Sequence, residues 1–285
     1  MSKKSLIAKI SEYILKNTKP SYMDSKDKID EFIIKEKKTK KEFKPLFKIK
    51  KFYIDQMKVF EFGDKNRKNT ILYIHGGAFI NEINYQHILY CYLLSKKLDA
   101  YVLAPVYPLT PLHKAEESYE LILKLYEKIE TDNLILMGDS AGGGFVHSFC
   151  QYLNTTKFKQ PKKIISFSPW VDISMSNTPY NSEDDPILGE IGLKEIGKSW
   201  AGELDTLDYK VSPLYGDNKN LPDTLIFAGE NEIFYKDIEK YVENLRNDGV
   251  NVRFITGPGL YHIYPLFPIP EARKAFKEVK NEINR

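Results

Sequence analysis

The chain opens with two short amphipathic patterns. Ile7, Ile10, Tyr13 and Ile14 fall on one helical face, and Ile29, Phe32, Ile33 and Ile34 predict a second short helix. The lysine-rich run KEKKTKKEFK at 35–44 follows, and like charge at this density reads as a solvated face or loop without a binding role. From Phe47 onward the rhythm changes. Short runs rich in β-branched and aromatic residues predict strands at 48–54, 58–62, 70–74, 101–104, 134–137, 164–167, 224–227 and 252–255. Helical periodicity between them predicts helices at about 85–97, 114–129, 141–153, 237–247 and 270–283. This alternation predicts an α/β fold, an eight-stranded, mostly parallel sheet flanked by helices, with residues 1–285 forming one domain. The interval 172–221 has no strand pattern and one helical pattern near 193–200. With the helical preface of 1–45 it is expected to form a cap or lid over the carboxyl edge of the sheet, where open parallel sheets bind ligands.

Composition narrows the class. Hydrophobic residues at 42% and charged residues at 28% of 285, with 16 Gly and 15 Pro, exclude a disordered, collagen-like or repeat-rich chain. A formal charge of +3, scattered along the sequence, gives no electrostatic footprint for nucleic acid. Cys91 and Cys150, the two cysteines, lie in apolar helical contexts and are expected as buried free thiols in a reducing compartment. Lys9, Glu12 and Lys16 interrupt the apolar run a signal peptide needs, and no stretch approaches the roughly 20 apolar residues of a membrane span. A cytoplasmic protein is expected. No pattern sets its oligomeric state, a homodimer being one option.

Candidate chemistry begins after the predicted strand at 134–137, where Gly138-Asp139-Ser140-Ala141-Gly142 runs into Gly143, Gly144 and a helical pattern. Gly-x-Ser-x-Gly at a strand-to-helix turn is the setting of a nucleophile elbow: the turn strains the serine backbone and lifts its hydroxyl into the open at a helix N-terminus. At this composition the pattern arises by chance about 0.05 times per chain. A phosphate-binding loop is a poor fit, lacking both the Gly-Lys-Ser/Thr ending and the GxGxxG spacing. Upstream, the strand at 70–74 leads into His75-Gly76-Gly77-Ala78-Phe79. The amides of Gly76 and Gly77, with that of Ala141, are placed to receive the oxyanion of a tetrahedral intermediate.

Taken together, these segments resemble the hormone-sensitive-lipase-like esterases of the α/β-hydrolase fold, whose HGGG and GDSAGG motifs match residues 75–78 and 138–143. The likeness extends to Ser168-Pro169-Trp170-Val171-Asp172, to Val211-Ser212-Pro213-Leu214-Tyr215 and to Leu221-Pro222. Ala78 departs from it, standing where many members have a third glycine. The resemblance implies oxyanion donors at Gly76, Gly77 and Ala141 and makes His75 a loop-shaping residue.

A serine hydroxyl needs a histidine to take its proton and a carboxylate to hold the tautomer of that histidine. Of the five histidines, His75, His87, His113 and His147 occupy loop or helix positions that read as structural, His147 lying two turns beyond Ser140. His262 follows the last predicted strand, and the hydrolase chain order of Ser, then acid, then His makes it the base. The acid belongs after the strand at 224–227. Aligning Gly229 with the glycine of the family's G-x-x-D turn selects Glu232, with Asp237 as runner-up and Glu230 as a solvent-facing residue.

The catalytic set is therefore Ser140, Glu232 and His262, acting without metal or organic cofactor on a small-molecule ester. Phe79 and Trp170, beside Trp200, are candidates for an apolar substrate-binding wall. The resemblance implies a carboxylesterase for short acyl chains. Deacetylation of acetylated sugars and amide or formamide hydrolysis would use the same triad. A ligand-binding protein on a hydrolase scaffold is the alternative from another class, and a peptidase would need an additional domain. No long hydrophobic surface for lipid is expected.

Overall fold

The computed structural model describes residues 4–38, 43–45, 48–129, 132–176 and 185–285. Phe47, residues 39–42 of the lysine run and residues 177–184 of the insertion lie outside the described residues.

Among the described residues eight strands form one sheet: β1 (Lys50–Ile54), β2 (Met57–Phe62), β3 (Asn69–Ile74), β4 (Ala100–Pro105), β5 (Leu134–Asp139), β6 (Lys163–Phe167), β7 (Asp223–Gly229) and β8 (Val252–Gly257). They lie in the order β1-β2-β4-β3-β5-β6-β7-β8, with β1, β2 and β4 paired antiparallel and every other neighbour parallel. This is the α/β architecture expected from the alternating pattern. Strands β5 and β6 are buried along their whole length, which is why they read as continuous apolar runs; β8, at an edge, is only half-buried.

Among the described residues eight α-helices complete the fold: α1 (Leu6–Thr18), α2 (Lys26–Lys38), α3 (Tyr85–Leu98), α4 (Ala115–Tyr126), α5 (Ser140–Leu153), α6 (Glu190–Ala201), α7 (Tyr235–Asn247) and α8 (Pro270–Ile283). Two apolar clusters sandwich the sheet. One takes Phe145, Val146 and Phe149 of α5 with Ile238, Tyr241, Val242 and Leu245 of α7, and the other takes the inner faces of α3 and α8. The i, i+3, i+4, i+7 spacing in α7 is the amphipathic stripe that commits one side of a helix to the core. Helix α5 is buried nearly all round, and Gly142 permits it: a Cβ there would strike the carbonyls of Ile74 and His75. The helix thus runs directly against the end of β3, bringing the two glycine-bearing loops together.

The two segments expected to form a cap do meet. Helix α2 contacts α6, and the 3-10 turn at Ser21–Met23 packs on α6 where Gly189 and Gly192 leave room for Met23. Helix α1 lies elsewhere, against α8. Its Ala8 is buried in the α3/α8 cluster, while the face bearing Ile7, Ile10, Tyr13 and Ile14 points to solvent. Both cysteines are buried and unpaired. Among the described residues no helix is long and apolar enough to cross a membrane.

Candidate active site

The carboxyl ends of β3, β5, β7 and β8 deliver the predicted residues to one place. At the end of β5 the chain turns into α5 with Ser140 held at φ +51°, a left-handed conformation unusual for a residue with a Cβ. That strain projects the hydroxyl from the turn. His262, in the loop between β8 and α8, places Nε2 2.8 Å from Ser140 Oγ.

Glu232 lies just beyond β7 and is buried, with Oε2 3.6 Å from His262 Nδ1. That separation is ion-pair contact slightly too long for a hydrogen bond. Oε2 also accepts from the Ser168 hydroxyl at 2.5 Å and the Gly229 amide at 3.2 Å. Ser168 in turn accepts from the Ile263 amide at 2.8 Å, so one hydroxyl ties the acid to the histidine loop. Asp237 sits in the first turn of α7, outside this contact, and Glu230 is exposed with Oε1 3.3 Å from Thr256 Oγ1. Of the three competing carboxylates, only Glu232 reaches His262.

Burial disfavours a charged imidazole at His262, but Glu232, with weaker help from Asp185 and Asp139, outweighs it and holds the pKa above the usual 6.5. Burial also raises the Glu232 pKa, against the opposing pull of His262 and Ser168. The other histidines are occupied as structural residues. His75 Nδ1 faces the Gly76 carbonyl at 2.7 Å, and burial pushes its pKa down to about 3. His87 accepts the Asn84 amide at Nδ1, which leaves Nε2 to donate to Asp139 at 3.3 Å. His147 points Nε2 at Ser166 Oγ, 2.9 Å away, and His113 pairs with Glu117 at the surface.

The oxyanion loop differs from expectation at one residue. The Gly76 amide donates to Asp139 Oδ1 at 3.1 Å and is not free to receive a substrate oxygen. Gly77, Ala78 and Phe79 follow with φ of +115°, +53° and +58°. A run of left-handed residues turns successive N–H groups into one concavity. Among the described residues the Gly77 and Ala78 amides have no hydrogen-bond partner, and Ala141 lies in the first turn of α5, where amides lack intrahelical acceptors. Gly77 cannot be replaced freely, because a Cβ would meet the Asn81 carbonyl and φ +115° suits only glycine. Ala78 accepts a left-handed angle at a cost of about 1–2 kcal/mol. Among the described residues, the amides near Ser140 left without a hydrogen-bond partner in these two loops include those of Gly77, Ala78 and Ala141.

Phe79 and Trp170 belong to a continuous aromatic row. Phe79 stacks on Trp200 of α6 at 4.3 Å and on Trp170 at 5.8 Å; Trp170 stacks on Phe234 at 5.6 Å, and Phe234 meets His262 edge-on at 5.2 Å. All four side chains are buried. A groove of about 770 Å³ borders the same loop at residues 80–82, but Ser140, Glu232 and His262 do not line it.

Two further buried carboxylates shape the site. Asp139 is a buried anion holding Tyr73 Oη at 2.6 Å, His87 and the Gly76 amide; burial raises its pKa, but His87 and Tyr73 outweigh that and keep it below the usual range. Asp185 is buried and accepts the amides of Ile187 and Leu188 at Oδ1 and of Ile233 at Oδ2, clamping the insertion to the residue after Glu232. The motif marks Asp139 as an elbow residue, whereas nothing in the local pattern distinguishes Asp185 from neighbouring carboxylates.

Comparison with known proteins places this geometry. Residues 71–266 match the model of a family described as the alpha/beta hydrolase fold. An esterase of Acinetobacter venetianus is 28% identical over 220 residues, covering 73% of this chain and 72% of that one. An acetyl-hydrolase of Streptomyces hygroscopicus is 26% identical over 219 residues, covering 73% of each. The crystal structure of an esterase candidate from Staphylococcus aureus has a TM-score of 0.86 at 27% identity, covering 93% of this chain and 95% of that one.

Proposed function

The chain belongs to the α/β-hydrolase fold family, and on that premise we propose that it is a serine carboxylesterase acting on short-chain esters through an acyl-enzyme. The observation that carries the proposal is the 2.8 Å contact between Ser140 Oγ, on a strained elbow, and His262 Nε2, with a buried carboxylate behind the ring. In that arrangement Nε2 is the acceptor and Nδ1 carries hydrogen toward Glu232.

Ser140 Oγ attacks the acyl carbon as its proton passes to Nε2. The carbonyl oxygen becomes an oxyanion received by the amides of Gly77, Ala78 and Ala141. As the tetrahedral intermediate collapses, the alkoxide takes the proton from Nε2 and leaves as alcohol. Water then gives a proton to Nε2 and attacks the acyl-enzyme; the second collapse returns that proton to Ser140 and releases the acid. These side chains and amides serve every step, so the proposal includes no cofactor.

Within segments 1–45 and 172–221, α2 and α6 are assigned to the cap, with the contact between them as support, and α1, which lies against α8, is left out of it. The buried row of Trp200, Phe79, Trp170 and Phe234 beside His262 supports a short acyl chain, because a long one would have to displace close-packed rings. The relative named an acetyl-hydrolase favours acetyl esters, including acetylated sugars, as a second reading.

The test is a panel of p-nitrophenyl esters from acetate to decanoate, with an acetylated sugar and an aryl formamide, on wild type and Ser140→Ala. Turnover should be greatest for acetate to butyrate, fall at least tenfold by octanoate and vanish in Ser140→Ala. Binding without turnover in wild type would instead identify a receptor, and preference for the sugar or the formamide would select those reactions.

A further inference from the structure

Helix α1 reverses the usual arrangement of an amphipathic helix. Leu6, Ile7, Ile10, Tyr13 and Ile14 form one stripe and are each 52–72% exposed. The inner face is narrow, with Ala8 and Leu15 packed on the α3/α8 cluster beside polar contacts. Ser5 donates through both its amide and hydroxyl to Glu271, Tyr261 donates to Ser11 Oγ at 2.7 Å, and Ala8 is buried between these contacts. These hydrogen bonds fix the roll of the helix and hold its apolar stripe outward.

The carboxylates of α1 and α8 are satisfied internally: Glu12 pairs with Lys4, Glu271 with Ser5, Glu278 with Arg253, and Glu282 with Lys163 and Arg253. Of the lysines on α1, exposed Lys9 makes no ion pair among the described residues and Lys16 reaches Glu12 only at 3.9 Å. On a helical projection Lys9 and Lys16 flank one edge of the stripe.

We propose that α1 docks on an anionic lipid surface, with Leu6, Ile7, Ile10, Tyr13 and Ile14 in the interface and Lys9 and Lys16 at its edge toward the headgroups. A stripe of large apolar residues edged by lysine is the composition of helices that lie in the plane of a membrane. Size also favours this occupant over a second copy of the chain. A 13-residue helix is about 20 Å long, and one face of it falls well short of the roughly 800 Å² per partner of a stable dimer. A lipid surface sets no such minimum, because each side chain partitions individually. This surface runs against the expectation of no exposed hydrophobic tract, because the pattern of residues 7–14 defines an apolar face without saying which way it points. The proposal is independent of the esterase reading.

The test is flotation of the full chain with vesicles of phosphatidylcholine alone or mixed equally with phosphatidylglycerol. Wild type should bind the anionic vesicles at least tenfold more tightly, and Ile10→Asp with Ile14→Asp should weaken that binding at least tenfold. Leu207→Asp, at an exposed leucine elsewhere, should bind as wild type does. Hydrolysis of a water-soluble acetate ester should be unchanged in all three, which separates this test from that of the catalytic reading. Lys9→Glu should lower affinity for anionic vesicles alone, and it remains a test if the double variant misfolds. Absence of vesicle binding by wild type, equal binding to both vesicle types or undiminished binding by a folded double variant would overturn the proposal. So would a wild-type dimer in sedimentation that the double variant dissociates without any vesicle binding, since a second copy would then cover the stripe.

Discussion

His147 in the middle of α5 and His262 in the loop after β8 are both buried, and burial pushes each imidazole toward the neutral form. They end in opposite states. His147 has Ser166 as its hydrogen-bond partner, burial is unopposed, and its pKa falls to about 3. His262 faces Glu232, with Asp185 and Asp139 farther off, and its pKa is raised above 6.5. A buried histidine becomes a usable base when a carboxylate is buried with it; the sheet edge supplies three, and the middle of α5 none.

The most severe way to break this contrast is to remove what His262 serves. Ser140→Ala should lower kcat by about 10³–10⁶ while leaving the pKa of both histidines in place, as NMR titration of the imidazoles would report. Glu232→Gln comes next, because it gives His262 an environment closer to that of His147. A loss of about 10³–10⁴ in kcat is expected. In wild type, kcat/KM should fall as pH drops through the His262 pKa, above 6.5, and this limb should move to lower pH in the variant. Asp185→Asn removes a more distant charge and one clamp on the acid turn. About a tenfold loss in kcat/KM, with a smaller shift of the same limb in the same direction, is the outcome to look for in a pH–rate series.

The smallest catalytic effect should come from His147→Gln, which touches no reacting group and should leave kcat within about twofold of wild type. Its effect appears in stability. The His147 pKa is lowered on folding, so below pH 6.5 the unfolded chain takes up a proton that the native state refuses until about 3. Native stability therefore drops by about 1.4 kcal/mol per pH unit through that window on account of this residue. Denaturant titrations from pH 7 to 4 should give a shallower loss for the variant. His262 has the opposite sign: its raised pKa contributes stability below pH 6.5 that is lost as pH climbs through the folded-state value.

What the chain discloses of itself follows the range of the interactions. The elbow at Ser140 was legible because its strain, glycines and helix start lie within a few residues, and the strands because β-branched runs between helical patterns admit few architectures. The base and acid candidates followed from chain order, since a parallel sheet sends each loop to the same edge. That the Gly76 amide is taken was not legible, because it depends on Asp139, 63 positions away, turning its carboxylate back on that amide. Asp185 was hidden in the same way, as one of several acidic residues in a strandless insertion. The direction in which α1 faces depends on Ser5 and Ser11 meeting residues more than 240 positions distant, and no local periodicity encodes that.

The central claim is that Ser140 is the nucleophile, driven by His262 and held ready by Glu232. It is tested most directly by exposing the protein to diethyl p-nitrophenyl phosphate and mapping the adduct by peptide mass spectrometry. The account predicts one diethylphosphoryl group, on the peptide containing Ser140, absent in Ser140→Ala and formed at least about a thousandfold more slowly in Glu232→Gln. An adduct on another residue, with ester hydrolysis persisting in Ser140→Ala, would contradict it.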